Sequence, residues 1–335
     1  MKVDGGLIAT NLADVPARAR ALEAAGYDGG VTAEISSDPF LPLALAAEHT
    51  TRLELLTSIA VAFARNPMLL ANIGHDLNAY SKGRFILGLG SQIQPHVAKR
   101  FSMPWSHPAA RMREFILAMR AIWDCWYAGK PLAFRGEFYT HTLMTPMFTP
   151  INTNYGPPRV FLAAVGPQMT EVAGEVADGM IAHAFTTERY VREVTLPALE
   201  RGLARAGRRR EDFSITCPVF VVTGRDEATR AASRSAVTKQ IAFYGSTPAY
   251  RPVLDSIGCG ELQTELNRLS KVGQWDEMGR RIDDEVLEQF AVVGEPQEIA
   301  AKIKQRYGGI FDRLLGTVPA GDPAEIVRLR ELQAI

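Results

Sequence analysis

Cysteine is scarce: Cys125, Cys217 and Cys259 are the whole complement of this 335-residue chain. They lie far apart, with no C-x-x-C spacing, so neither a disulfide framework nor a zinc-type cluster is expected, and a reducing cytoplasm is the expected home. No run of about 18 apolar residues occurs, which excludes a helical membrane span. The opening Met1-Lys2-Val3-Asp4-Gly5-Gly6 lacks the apolar segment of a secretory signal. Charge of one sign is missing too. Lys plus Arg equals 37 and Asp plus Glu equals 37, which removes the basic footprint of a nucleic-acid binder and of a polybasic membrane anchor. There is no G-x-S-x-G element and no His/Asp/Glu spacing typical of a metal site, so nucleophilic and metal chemistry have no support.

What is present is apolar material, 47% of the residues, arranged in alternating strand-like and helix-like segments. Strand patterns fall at Lys2 to Leu7, Tyr27 to Thr32, Leu53 to Ala60, Arg84 to Leu89, Val160 to Ala164, Gly179 to Ala182, Phe213 to Thr223 and Phe311 to Thr317. Helical spacing follows nearly every one, and Pro323 to Leu332 reads as the closing helix. About eight strands separated by helices demand parallel pairing with right-handed crossovers, and so an α/β fold of the (β/α)8 barrel type. An open doubly wound sheet is the structural alternative. A single domain over 1–335 is expected, with two insertions. One, about 130–158, begins as a hairpin turning at Arg135-Gly136 and continues as a Pro/Thr/Asn-rich loop. The other, about 245–288, is polar, dotted with Gly and Pro, and carries two weak helical patterns.

In a (β/α)8 barrel the active site sits where strands end. The exits so equipped are Asp4 at strand one, Glu34 after strand two, Thr57-Ser58-Ile59 closing strand three, and Gly88-Leu89-Gly90-Ser91-Gln92 with His96 after strand four. Ala163-Ala164-Val165-Gly166 ends strand five and His183 ends strand six. His49, His75 and His141 have no such position and read as structural. Arg208-Arg209-Arg210 reads as a solvated helix end. Gly88-Leu89-Gly90 lacks the spacing of a dinucleotide fingerprint, but glycine there suits a backbone that must approach a flat ring. After Val165-Gly166, Pro167 opens a helix whose amides at Gln168 and Met169 are available to an anion or a ring carbonyl. A glycine-lined, mostly apolar mouth favours an aromatic cofactor.

The run Thr57 to Pro67 (TSIAVAFARNP), Gly83 to Gly90 (GRFILGLG), Phe161 to Pro167 (FLAAVGP), Ala173 to Gly179 (AGEVADG) and Ala291 to Glu298 (AVVGEPQE) together resemble the luciferase-like superfamily of bacterial luciferase type. The nearer resemblance is to its coenzyme F420-dependent branch. That resemblance implies a luciferase-like barrel, usually dimeric, with the cofactor ring at the mouth. It implies a non-proline cis peptide backing the ring, which aligns with Ser58-Ile59. It places an acidic contact on Glu34, loop contacts on Gly90, Ser91, Val165, Gly166, Gln168 and Met169, and a polar position on or near His96. Sugar-phosphate dehydrogenases of the branch carry His directly after the strand-two acid, where this chain has Ile35. They carry Glu where it has Ser91-Gln92-Ile93, and a phosphate-binding Lys after strand six, where it has His183-Ala-Phe-Thr-Thr187. These departures count against oxidation of a sugar phosphate.

The expected function is therefore hydride transfer to or from the deazaflavin of coenzyme F420, with His96 and His183 handling a proton. Phe101, Met103 and Trp105 point to an apolar or bulky small-molecule substrate. The two insertions are expected to shape its pocket. One alternative is an FMN-dependent monooxygenase; another is a cofactor-binding protein without turnover. A homodimer is expected.

Overall fold

The computed structural model describes residues 1–8, 11–316 and 330–334. Eight parallel strands form the framework: β1 (Lys2–Gly6), β2 (Gly29–Thr32), β3 (Glu54–Thr57), β4 (Phe85–Gly90), β5 (Arg159–Ala164), β6 (Gly179–Ala182), β7 (Ser214–Pro218) and β8 (Arg313–Gly316). Their order runs β3-β2-β1-β8-β7-β6-β5-β4, and β3 also pairs with β4, so the sheet closes on itself. This is the (β/α)8 barrel expected from the alternation. Every residue of β2, β4 and β6 is buried, because helices cover one face and the packed barrel interior the other. The register is regular: Asp4 lies opposite Gly29, Gly29 opposite Glu54, and Leu55 opposite Phe85.

The helices start where local chemistry permits. α1 (Val15–Ala25), α2 (Leu41–His49), α3 (Pro67–Tyr80), α4 (Pro108–Ala128) and α5 (Pro167–Val176) each carry Pro in the first two positions, where no amide is lost. Asn66 caps α3 by accepting from the Leu69 amide at 3.0 Å. α6 (Leu196–Arg205) continues from a π-turn at Val191–Thr195. α7 (Glu227–Gly245) opens on a reciprocal capping box between Asp226 and Thr229.

The described chain divides into two compact units. The larger comprises Asp4–Ile181 and Ala198–Ile215; the smaller comprises Met1–Val3, Ala182–Pro197 and Thr216–Ile335. In the smaller unit α7 is followed by α8 (Arg251–Ser256), α9 (Gly260–Lys271), α10 (Trp275–Arg280) and α11 (Asp284–Phe290). α12 (Ile299–Tyr307) then leads to β8. The late insertion thus holds four short helices where the sequence pattern shows two. Their apolar faces gather on Phe185, Ile241, Leu254, Leu266, Leu269 and Phe290, all buried.

Several boundaries differ from the sequence reading. The strand-seven run is broken after Pro218, whose ring offers no amide to a ladder. Its second half, Phe220–Val222, pairs in parallel with Ala291–Val293 as a separate small sheet. The hairpin pairs Phe134–Arg135 with Thr140–His141, so its turn is Gly136–Tyr139 instead of Arg135-Gly136. The cause is Glu114, whose carboxylate accepts the amides of Glu137, Phe138 and Tyr139 and pins the turn. Asp4 is buried within β1 and is not an exit residue. The expected closing helix Pro323 to Leu332 lies almost wholly outside the described residues.

Candidate functional site

In the larger unit, the end of β3 is built by backbone groups that find unusual partners. The Ser58–Ile59 peptide is cis. The Ser58 amide donates to the Thr32 carbonyl at 2.6 Å, and the Glu34 amide donates to the Ile59 carbonyl at 3.2 Å. Beyond it the chain re-enters the sheet, with Ala60 opposite Leu89 and Val61 opposite Gly90. Glu34 grips this bulge a second time: its Oε2 accepts the Val61 amide at 2.7 Å. The same oxygen takes Arg65 Nη1 at 2.6 Å, and that guanidinium also reaches the Val61 carbonyl at 3.2 Å and Asp38 at 3.6 Å. The Glu34 side chain is 8% exposed and that of Arg65 17%, so the pair is shielded and its hydrogen bonds are of the stronger, charge-assisted kind.

Space at the neighbouring strand is set by glycine. A Cβ at Gly88 would stand 1.8 Å from the Thr57 carbonyl oxygen. Thr57 instead uses its hydroxyl to bridge the Gly88 carbonyl and amide at 2.8 and 2.9 Å. A Cβ at Gly90 would sit 3.0 Å from the Ile59 side chain, whereas one at Gly166 would meet open space. The bulge is therefore held hard against β4, while the start of α5 leaves room for a group to approach the backbone closely.

The remaining expected residues of this unit are placed as follows. Ser91 is half-buried and donates to the Gln92 carbonyl. Val165, Gly166 and Met169 are half-buried and Gln168 is exposed. The Gly166 carbonyl accepts both the amide and the hydroxyl of Thr170, closing the first turn of α5. His96 is exposed and opens a π-turn, His96–Arg100, a feature often found at functional sites. From that turn Arg100 reaches back to the Ile35 carbonyl, next to Glu34. Trp105 packs edge-on against Phe63, and Arg111 lies over the Phe63 ring at 4.4 Å.

His183 belongs to the smaller unit. Its Nδ1 accepts the Phe185 amide at 3.0 Å. Its ring sits edge-on to Tyr244 at 4.5 Å and tilted over Tyr250 at 4.9 Å. Burial pushes its pKa down to about 4, so the ring is neutral near pH 7 with its proton on Nε2. It can donate a hydrogen bond readily and accept a proton only in acid. Burial likewise pushes the Tyr250 phenol up to about 12, with Tyr244 adding to the shift.

His75 is buried and His141 half-buried. His75 bonds the Tyr127 hydroxyl at 2.6 Å, and burial lowers the pKa of both histidines. Among the described residues no group of three or more His, Cys, Asp or Glu is placed to hold a metal ion. No described helix is long and apolar enough to cross a membrane. Sequence reasoning missed Arg65, Tyr244 and Tyr250. Arg65 stands in the run TSIAVAFARNP, but nothing in that run marks it as the partner of Glu34, 31 residues away.

The site is thus a closed parallel barrel whose third strand ends in a bulge gripped by an acidic residue from the second strand's exit. Comparison with known proteins gives the family. The chain belongs to the luciferase-like monooxygenase family, whose model matches residues 1–313. Membership places it among oxidoreductases of the luciferase-like class. It is 61% identical, over 94% of its length and 92% of the relative's, to an uncharacterised protein of Mycobacterium tuberculosis. It is 25% identical to a 5,10-methylenetetrahydromethanopterin reductase of Archaeoglobus fulgidus, covering 86% of this chain and 83% of that one. The fold matches the coenzyme F420-dependent tetrahydromethanopterin reductase of Methanopyrus kandleri with a TM-score of 0.78 at 18% identity, covering 99% and 96% of the two chains.

Proposed function

We propose that the protein moves a hydride to or from the deazaflavin of coenzyme F420, with an apolar or bulky organic compound as the other reactant. The observation that carries this reading is the grip of Glu34 on both sides of the Ser58–Ile59 cis bulge. An exit rebuilt by shielded, charge-assisted bonds is a rigid wall of the sort a flat ring needs behind it. The residues present fit such a group: Gly90 lets the bulge press against β4, and open space at Gly166 lets a ring or its side chain approach the backbone.

In this reading Ser58, Ile59 and Gly90 back the ring, and Glu34 acts on it through the bulge. Ser91, Val165, Gly166, Gln168 and Met169 hold its edges and side chain. The bound deazaflavin would supply the hydride-carrying centre. The protein's share is to orient it, exclude water and manage a proton. His96, exposed at its π-turn, would exchange a proton with solvent, and His183, held neutral, would donate a hydrogen bond. A relative of Mycobacterium tuberculosis named as a putative coenzyme F420-dependent oxidoreductase, 30% identical over 82% of this chain, supports the choice of cofactor. The same reading includes a cytoplasmic homodimer.

The second reading is an FMN-dependent monooxygenase, favoured by the description of the matching family model. Parallel titrations with oxidised F420 and FMN, followed by cofactor fluorescence, separate the two. Tight F420 with weak FMN binding is expected; the reverse moves the assignment to the monooxygenase, checked by oxygen consumption. F420 binding with no hydride exchange across a substrate panel would leave only a cofactor-binding protein.

A further inference from the structure

The loop between the hairpin and β5 carries no charge. From Phe138 to Pro158 there is no Asp, Glu, Lys or Arg, where a chain with 22% charged residues would place about five. The same loop holds the four most exposed large apolar side chains among the described residues: Leu143, Met147, Phe148 and Ile151, at 77, 87, 69 and 99%. The segment is tied down at both ends. The Trp126 indole N–H donates to Met144 Sδ at 3.4 Å, and Asn78 Nδ2 donates to the carbonyls of Tyr155 and Gly156 at 3.3 and 2.9 Å. Between these ties Pro146–Phe148 forms a short 3-10 turn, with the Phe148 amide donating to the Thr145 carbonyl at 2.9 Å. Met147 and Phe148 are thus held outward on an ordered backbone, which lowers the entropy lost when something binds them.

Beside the turn lies a cleft of about 470 Å3, lined by Cys125 of α4, Met144, Pro146, Pro150 and Ile151. Knob and cleft belong to one loop. A twofold axis can therefore seat the Met147–Phe148 knob of each copy in the cleft of the other, an isologous contact. The area is sufficient as well. At about 200 Å2 for a large residue, these four side chains and the 43% exposed Tyr155 leave on the order of 750 Å2 in water. A standard stable interface buries ~800 Å2 of each partner. Apolar patches of this size are rare on a monomer, and Met with aromatic residues and no charge is the composition of an interface core. A membrane surface fits less well, because a loop that binds one gains from Lys or Arg against anionic headgroups, and this loop has neither.

We infer that the face from Leu143 to Tyr155 is where a second copy of this chain docks, with Met147 and Phe148 of each copy filling the cleft of the other. The inference rests on the homodimer included in the reading above and supplies the interface which that reading leaves unplaced. It is independent of the cofactor the barrel takes.

Sedimentation velocity of the full-length protein at micromolar concentration should show a particle of twice 36.7 kDa. The double variant Met147→Asp/Phe148→Asp should raise the dimer Kd at least about 100-fold, because each copy would have to bury charge in an apolar cleft. Phe148→Leu, which keeps an apolar knob, should stay within about tenfold of the wild type. Amide exchange of the wild type, read above and below its dimer Kd, should slow on dimerisation in peptides spanning 140–158. A wild type that stays at 36.7 kDa would overturn the inference and the homodimer with it. A dimer unaffected by the double variant, or exchange over 140–158 that is the same in monomer and dimer, would overturn the placement alone, and the exchange measurement holds even if the double variant does not fold. Wild-type protein that co-sediments with phosphatidylcholine/phosphatidylglycerol vesicles through this loop, with the double variant left in solution, would assign the face to a membrane and likewise overturn the inference. F420 and FMN titrations of the same preparation are read separately: no binding there sinks the hydride-transfer reading and leaves the dimer face standing.

Discussion

The bulge at the end of β3 and the aromatic box around His183 solve opposite problems. At the bulge, backbone amides and carbonyls that leave the regular sheet are recaptured by Glu34, which uses both its amide and its carboxylate, with Arg65 behind it. Order there is electrostatic and directional. In the box no ion pair is present; a single amide bond fixes the imidazole and rings fill the rest. Order there comes from burial, whose signature is a pKa pushed down to about 4. The first arrangement suits a wall that must not move, and the second a contact whose charge state must not change.

The comparison breaks most severely at Gly88. A methyl group there would collide with the Thr57 carbonyl oxygen at 1.8 Å, a backbone atom that cannot step aside. Gly88→Ala is expected to cost about 3 kcal/mol or more, read as a lost or much lowered urea midpoint. Next comes Glu34→Ala, which strands the Val61 amide and leaves Arg65 without its main partner. About 2–3 kcal/mol of stability should go. Cofactor affinity should fall further than stability alone explains, because the wall itself loosens. Unchanged cofactor affinity in a folded Glu34→Ala protein would show that the bulge does not back the ring.

How much of this was legible in the sequence follows the range of the interactions. The barrel was, since apolar strands such as Phe85 to Gly90 and alternating helices are local patterns. The positions of Glu34 and Ser58–Ile59 were too, through motif resemblance. Arg65 was not, because its partner Glu34 is 31 residues away and nothing local marks the pair. Tyr244 reads as one more residue of a helix, and Tyr250 as part of a Pro/Gly-dotted loop; only the fold brings both to His183. The hairpin turn was misplaced for the same reason, since the Glu114 carboxylate that sets it lies on α4. The strand-seven break did have a local mark, Pro218, outweighed by the apolar run around it.

The box is best probed with acid. The folded His183 holds its pKa near 4, against about 6.5 for an unperturbed histidine. Between those values the unfolded chain takes up a proton that the native state refuses. Stability therefore falls as pH drops through this window and is unaffected above it, by about 2 kcal/mol at pH 5. His183→Gln should remove that share of the acid sensitivity, so the two urea-derived stability curves run parallel above pH 7 and converge or cross below pH 6. His75 and His141, also depressed by burial, steepen both curves alike and drop out of the difference. A pH-independent difference between the two proteins would mean that His183 titrates normally and that the box is wet.

The smallest expected effect separates ring from hydroxyl. Tyr244 contributes to the box through its edge-on ring at 4.5 Å from His183, while its hydroxyl only accepts a long 3.3 Å bond from Gln240. If burial by rings is what holds His183 neutral, Tyr244→Phe keeps the cause and discards a bystander. Stability should then change by less than about 0.5 kcal/mol, and the His183 titration, followed by 15N shifts, should stay near its wild-type value. Tyr244→Phe would also test the ordering principle assigned to this region. Were the His183 pKa to rise toward its ordinary value, the phenol's polar end would be what keeps the imidazole neutral, and the box would rest on the same directional bonding as the bulge.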